Sequence, residues 1–301
     1  MPSLLETTDI PMTIILEKCD FKSLLTLRKV CHSLRNFIDD SCFKTDLDDI
    51  CITIDSNGFS VKCQNPETRW TDKISFAKDW TPNDLKIILK LFQNSKLSRF
   101  SVITNPDNVQ GLDDLEEILK NQTRLLKTER FAMEGSEILK VLPYLDSKTL
   151  KNITIAPVDY KTLDENLDGI EQFLDLEQFK NAVELDISYG FLVRADLRKF
   201  FHFQSISGNL HETSLEELAF VTSIHMDFFG LNSRGLDGSQ LEQIFGTPFH
   251  DDRYPLGYSQ WFFVIQNCKE YVLRIEWGLG NLLRFRKWKA KDVPQDAVVH
   301  H

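Results

Sequence analysis

Residues 175–188 read Asp-Leu-Glu-Gln-Phe-Lys-Asn-Ala-Val-Glu-Leu-Asp-Ile-Ser. The first half predicts a short helix, opened by a capping box of Asp175 and Gln178. The second half alternates strictly. A strand there buries Val183, Leu185 and Ile187 and turns Glu184, Asp186 and Ser188 to the other face. Helix running directly into strand, with a polar row left outside, is the unit from which a layered array is built.

The same alternation extends to either side, from about residue 81 to 230. RFSVIT (99–104), ERFAM (129–133), TLKNITIAP (149–157) and FHFQSIS (201–207) predict strands. TPNDLKIILKLF (81–92), DDLEEILKNQTRLL (113–126), EILKVLPYL (137–145, broken near Pro143) and TSLEELAFVTSIHMDFF (213–229) predict helices. The strand centres Phe100, Phe131, Ile153, Leu185 and Ile206 recur every 20 or so to 32 residues. That irregular period favours a stacked strand–helix array, leucine-rich-repeat-like, over a closed barrel. CITIDSNGFSVKCQ (51–64) predicts a hairpin turning at Asn57-Gly58. The C-terminal part returns to strands at WFFVIQ (261–266), YVLRIEW (271–277) and LLRFRKW (282–288), the last two forming a hairpin. The expected class is α/β, α+β overall.

Composition bounds the function. The 301 residues are 42% hydrophobic and 27% charged, as in an ordinary folded chain. The formal net charge of −10 disfavours a general nucleic-acid binder. No apolar run reaches the roughly 18 residues of a membrane span, and the N-terminal stretch does not have the pattern of a signal peptide. The six cysteines lack a CxxC pair and are expected to be reduced, mostly buried thiols of the cytoplasm or nucleus.

No pattern of reactive groups emerges. His202 and His225 lie among phenylalanines, without metal-ligand spacing, and packing roles are expected for them. Gly278 and Gly280 lack the third glycine of a dinucleotide loop. Asp39, Asp40, Asp46, Asp48 and Asp49 lack the frame of a calcium loop and predict a solvated linker. In the basic run 284–289, Leu283, Phe285 and Trp288 are expected to point inward while the charges guard an edge. Neither cofactor nor metal is expected, nor catalysis.

The opening block, IPMTIILEKCDFKSLLTLRKVCHSLRNFID (10–39), is helical in pattern and too apolar for its size. Ile10, Ile14 and Ile15 share a face, and Leu24, Leu27, Cys31, Leu34 and Ile38 recur three or four apart. Leu25, Val30 and Phe37 widen the stripe beyond a single seam. Asp20 and Ser23 are candidate caps between a helix near 12–18 and one starting near 23. About thirty residues cannot bury such a stripe among themselves, so it is expected to be covered by something else.

This block resembles an F-box. Ile10-Pro11 stands where that motif has Leu-Pro, Ile14 to Leu16 where it has its first apolar helix, and Ser23 to Arg28 where it has the second. Val30-Cys31, Leu34-Arg35 and Phe37-Ile38 match its ending. Downstream, LEQFKNAVELDIS, the FHF of 201–203, SLEEL and IFGTP resemble the FTH domain of the nematode F-box A family over about residues 95–250, with Phe179 where its commonest form has Trp. The resemblance implies a small three-helix F-box domain at 1–45 and a strand–helix substrate-recognition domain at 50–290. It implies a substrate-recognition adaptor of an SCF-type ubiquitin ligase, without catalysis of its own. A Skp-type adaptor, and through it a cullin, would be bound by Ile10, Pro11, Ile14, Ile15, Leu24, Leu25, Leu27, Val30, Leu34 and Phe37. The alternative is a non-degradative scaffold with a drifted F-box. On the strand–helix array, a target protein is expected at outward strand positions: Arg99, Ser101, Asn152, Thr154, Glu184, Asp186 and Ser188. Nucleic acid and membrane are not expected partners.

Overall fold

The computed structural model describes residues 9–19, 21–40, 48–56, 58–64, 82–92, 95–105, 109–158, 165–166, 169–187, 191–193, 196–200, 202–210, 228–232, 237–250, 258–265, 268–278 and 282–300. The chain divides into two compact units, residues 1–151 and 152–301.

The first unit begins with three short helices, α1 (Asp9–Glu17), α2 (Phe21–Leu27) and α3 (His32–Asp40). Ser23 lies inside α2 rather than capping it, and Asp20 lies outside the described residues. A hairpin follows, β1 (Asp49–Asp55) and β2 (Gly58–Gln64), then α4 (Pro82–Phe92), β3 (Lys96–Thr104), α5 (Val109–Lys120) and β4 (Lys127–Glu134). The sheet order is β2-β1-β3-β4, antiparallel in the hairpin and parallel thereafter. Gly58 supplies the positive φ of the turn, +114°.

Alternation decides which face is covered. Ile50, Ile52 and Ile54, Phe59, Val61 and Cys63, Phe100 and Val102, and Phe131 and Met133 are buried on one side. The helices bring matching stripes, Leu85, Ile88, Leu89 and Phe92 in α4 and Leu112, Leu115 and Leu119 in α5. Burial pushes the Cys63 thiol up to about 12. The described cysteines 19, 31, 51, 63 and 268 are thiols, and only Cys63 is fully buried, so the expectation of mostly buried thiols is corrected.

Two predicted helices are shorter or different. The helix expected over 113–126 ends at Lys120, because Leu126 donates its N–H to the Tyr144 carbonyl and accepts from Asp146 in extended backbone. Residues 137–145 form two 3-10 turns, Ile138–Lys140 and Leu142–Tyr144, since Pro143 has no N–H to continue an α-helix. The acidic cluster is not a solvated linker where it is described. Asp39 pairs with Arg28 and Asp40 with Lys90, while the Asp48 carbonyl accepts from the Ser98 and Arg99 N–H groups. Asp46 lies outside the described residues.

The second unit contains β5 (Asn152–Ala156), β6 (Glu165–Asn166), α6 (Ile170–Asp175), α7 (Glu177–Asn181), β7 (Glu184–Ile187), β8 (Phe191–Val193), β9 (Ser205–Leu210) and β10 (Phe228–Asn232). It continues with α8 (Gly238–Phe245), β11 (Phe249–His250), β12 (Ser259–Val264), β13 (Tyr271–Gly278), β14 (Leu282–Lys289) and β15 (Val299–His300). Strands β5, β7, β9 and β10 are parallel, β10 then pairs antiparallel with β14, and β13, β12 and β11 follow antiparallel. The predicted C-terminal strands therefore complete a mixed sheet. The short β6 and β8 branch off β9, and β15 pairs with β12.

Leu185 and Ile187 are buried and Glu184 and Asp186 are exposed, as the alternation predicts; Val183 lies just ahead of the strand and is half-buried. The Asp175 capping box is corrected. Asp175 is the last residue of α6, and the extended Leu176 (φ −66°, ψ 141°) ends α6 and starts α7 without a side-chain cap. A capping box does exist at Asp237 and Gln240, opening α8. Phe228 and Phe229 begin β10 instead of ending a helix, and most of the helix expected over 213–229 lies outside the described residues, as does His225. Trp288 is also corrected. It falls on the opposite side of β14 from Leu283 and Phe285, and the Arg274 guanidinium lies 4.3 Å from its ring centroid.

Phe179 is the hub under the parallel strands. Its ring meets Phe173, Phe200 and Phe203 edge-on at 4.9, 5.5 and 5.0 Å, and His202 at 5.2 Å. His202 adds a hydrogen bond between Nε2 and the Phe179 carbonyl at 2.9 Å. Phe179→Ala should cost about 3–5 kcal/mol in denaturant unfolding, whereas Phe179→Trp should retain most of the stability. A loss below about 1 kcal/mol for the alanine variant would remove Phe179 from this role.

Candidate functional site

Two surfaces need explanation. The first is formed by α1–α3. Met12, Leu16, Leu24, Leu34 and Ile38 are buried at helical spacing and hold the three helices in place. Arg28 and Asp39 lock α2 to α3, with Nε donating to Oδ1 at 2.6 Å and a terminal nitrogen to Oδ2 at 2.8 Å. The two side chains retain only 13% and 24% of their accessible surface. A fork-to-fork pair with so little water fixes an angle as well as a distance. Arg35 reinforces it by donating to the Arg28 carbonyl at 3.2 Å.

The outer side is different. Ile14 is 53% exposed, Ile15 40% and Val30 64%, and these are three of the seven large aliphatic side chains left exposed among the described residues. Single exposed aliphatics are ordinary, but three within one short helical block call for a cover. Of the residues the sequence nominates here, Ile14, Ile15 and Val30 point outward, Leu25, Leu27 and Phe37 are half-buried, and Leu24 and Leu34 are spent inside. Ile10 and Pro11 contribute to the backbone of α1.

The second surface is the uncovered row on β5, β7 and β9. Register places Asn152 beside Glu184 and Thr154 beside Asp186, then Glu184 beside Ser205 and Asp186 beside Ser207. The Asn152 amide donates to the Glu184 carboxylate. Although Asp186 is exposed, the protein groups crowding its carboxyl desolvate it and push it above its usual range, and the Ser207 hydroxyl, hydrogen-bonded to it, pulls the other way. Two carboxylates on a rigid ladder, flanked by an amide and hydroxyls, can receive cationic and hydrogen-bonding groups. Ser205 and Ser207 were missed from the nominated set, although their alternation around Ile206 carries the signal. Ser188 lies outside the described residues.

Arg99 and Ser101 belong to the first unit, on β3. Arg99 is exposed beside Asp49 and Arg130, whereas Ser101 is 9% exposed and offers a partner little. Among the described residues no group of three His, Cys, Asp or Glu side chains could hold a metal ion, and no helix is long and apolar enough to cross a membrane.

Comparison with known families matches residues 9–46 to the F-box domain and residues 109–221 to the FTH domain. No curated protein and no solved structure matches the chain.

The Arg28–Asp39 lock makes its own prediction. Arg28→Ala leaves a carboxylate with little water and should cost about 2 kcal/mol. Exchange of amide hydrogens should accelerate in α2 and α3 first. Unchanged exchange there would show that the pair contributes no rigidity.

Proposed function

We propose that this chain, an F-box followed by an FTH domain, is the non-catalytic substrate-recognition subunit of an SCF-type ubiquitin ligase. In this reading α1–α3 bind a Skp-type adaptor, which links the chain to a cullin, and the FTH-bearing part presents a target protein. The observation that carries it is the division of labour within α1–α3. An inner set of aliphatics and the Arg28–Asp39 lock shape the block, while Ile14, Ile15 and Val30 remain outside. Covering three half-exposed aliphatics yields about 1–2 kcal/mol each, a favourable contribution to docking a partner on helices that are marginal alone. Such a ligase subunit would work in the cytoplasm or nucleus.

Introducing charge with Ile14→Asp together with Val30→Asp should abolish co-purification with adaptor and cullin while leaving the melting temperature near wild type. Both side chains lie outside the core, so loss of fold is not expected. Undiminished co-purification would show that the adaptor is not held through these two side chains, whereas a wild-type chain that recovers no adaptor would leave the alternative, a scaffold that binds its partner without degradation.

The proposed target surface is the polar row of the second unit. An acidic pair on a rigid strand favours a partner with a basic patch, and its association should slow as salt rises. Glu184→Lys with Asp186→Lys should therefore retain adaptor and lose targets in quantitative mass spectrometry after proteasome inhibition. Recovery of the same targets in the same amounts would exclude this face.

A further inference from the structure

The basic run near the C-terminus takes on a second meaning from its surroundings. Strands β13 and β14 end side by side, with Tyr271 registered against Lys289. Just beyond, the Ala290 N–H donates to the Glu270 carbonyl at 2.8 Å, and residues Ala290–Asp292 form a 3-10 turn. Around this closed ladder end lies an open cleft of about 450 Å³, lined by Lys269, Glu270, Tyr271, Lys289, Ala290 and Lys291. Its size falls in the range of roughly 300–1,000 Å³ typical of small-ligand clefts.

Its charge is the unusual feature. Three lysines face one glutamate in a chain whose net charge is −10. Five lysines elsewhere pair with carboxylates: Lys90 with Asp40, Lys96 with Glu129, Lys140 with Asp113, Lys180 with Glu177 and Lys199 with Glu171. Lys269, Lys289 and Lys291 have no ion-pair partner among the described residues. Tyr271 supplies an aromatic wall, with the Lys287 ammonium 5.0 Å from its ring centroid. Three lysines lining one cleft at a hydrogen-bonded strand end can receive an anion.

We propose that this cleft takes an anionic side chain, carboxylate or phosphate, on a segment of the target protein. The inference rests on the substrate-recognition reading above and gives it a second anchor of opposite sign to the Glu184–Asp186 row. The chain's overall negative charge repels a polyanion such as nucleic acid at distance, which favours a short peptide carrying a few charges.

The test uses the purified full chain and two fluorescein-labelled peptides, one with alternating glutamate and glycine and one with phosphoserine in place of glutamate, read by anisotropy. At least one should bind, weakening as salt rises. Lys289→Glu with Lys291→Glu should reduce affinity about tenfold or more, Lys269→Glu alone should reduce it measurably, and Lys289→Arg with Lys291→Arg should preserve it. Which peptide binds more tightly identifies the anion. Absence of binding by both peptides, unchanged binding by the charge-reversed protein, or tighter binding of a thymidine oligonucleotide would each overturn the proposal. Adaptor co-purification of the same variants reports separately on the ligase reading, since these lysines lie outside α1–α3.

Discussion

A parallel strand must send alternate side chains to opposite faces, and in this chain that constraint organises both units. Ile50, Ile52 and Ile54 or Leu185 and Ile187 go under cover, so their neighbours are turned to the opposite face whatever their chemistry. The covering helices then need only a stripe of leucines and phenylalanines, and Phe179 with its surrounding rings fills the space under β7 and β9. Once the buried set is fixed, the opposite row is free to carry Asn152, Thr154, Glu184, Asp186, Ser205 and Ser207. Register holds these groups at strand spacing, so a partner meets an ordered array of acceptors.

The helical block obeys a different constraint. Its helices are 9, 7 and 9 residues long, below the length at which isolated helices persist in water. Interior aliphatics and one forked ion pair stabilise them enough to define a shape, yet leave Ile14, Ile15 and Val30 uncovered. Stability and binding thus draw on separate residues of the same short segment. Substituting Leu24 or Leu34 disturbs the block itself, whereas substituting Ile14 or Val30 alters only what it can hold.

Much of this was legible in the sequence because period and turn chemistry are local. The hairpin at 49–64, the strand–helix alternation and the polar row on β7 follow from spacing alone. What escaped depends on tertiary context. Asp175 has the pattern of a capping residue but ends the preceding helix, and the functioning capping box at Asp237 was passed over. Trp288 was assigned inward by hydrophobicity, although strand parity and the Arg274 guanidinium hold it on the other face. In the helical block, periodicity identified an apolar stripe without separating Leu24 and Leu34, which are inside, from Ile14 and Val30, which are not. The lysine-lined cleft was invisible because its residues lie at the ends of two strands and meet only through the β13–β14 register.

The central claim is that α1–α3 are incomplete until covered by a Skp-type adaptor. Amide hydrogen exchange of the full chain with and without purified adaptor tests it directly. The account predicts strong new protection across residues 9–40, with β5, β7 and β9 unchanged. Unaltered exchange in α1–α3 at saturating adaptor, or protection gained instead on the strand row, would contradict it.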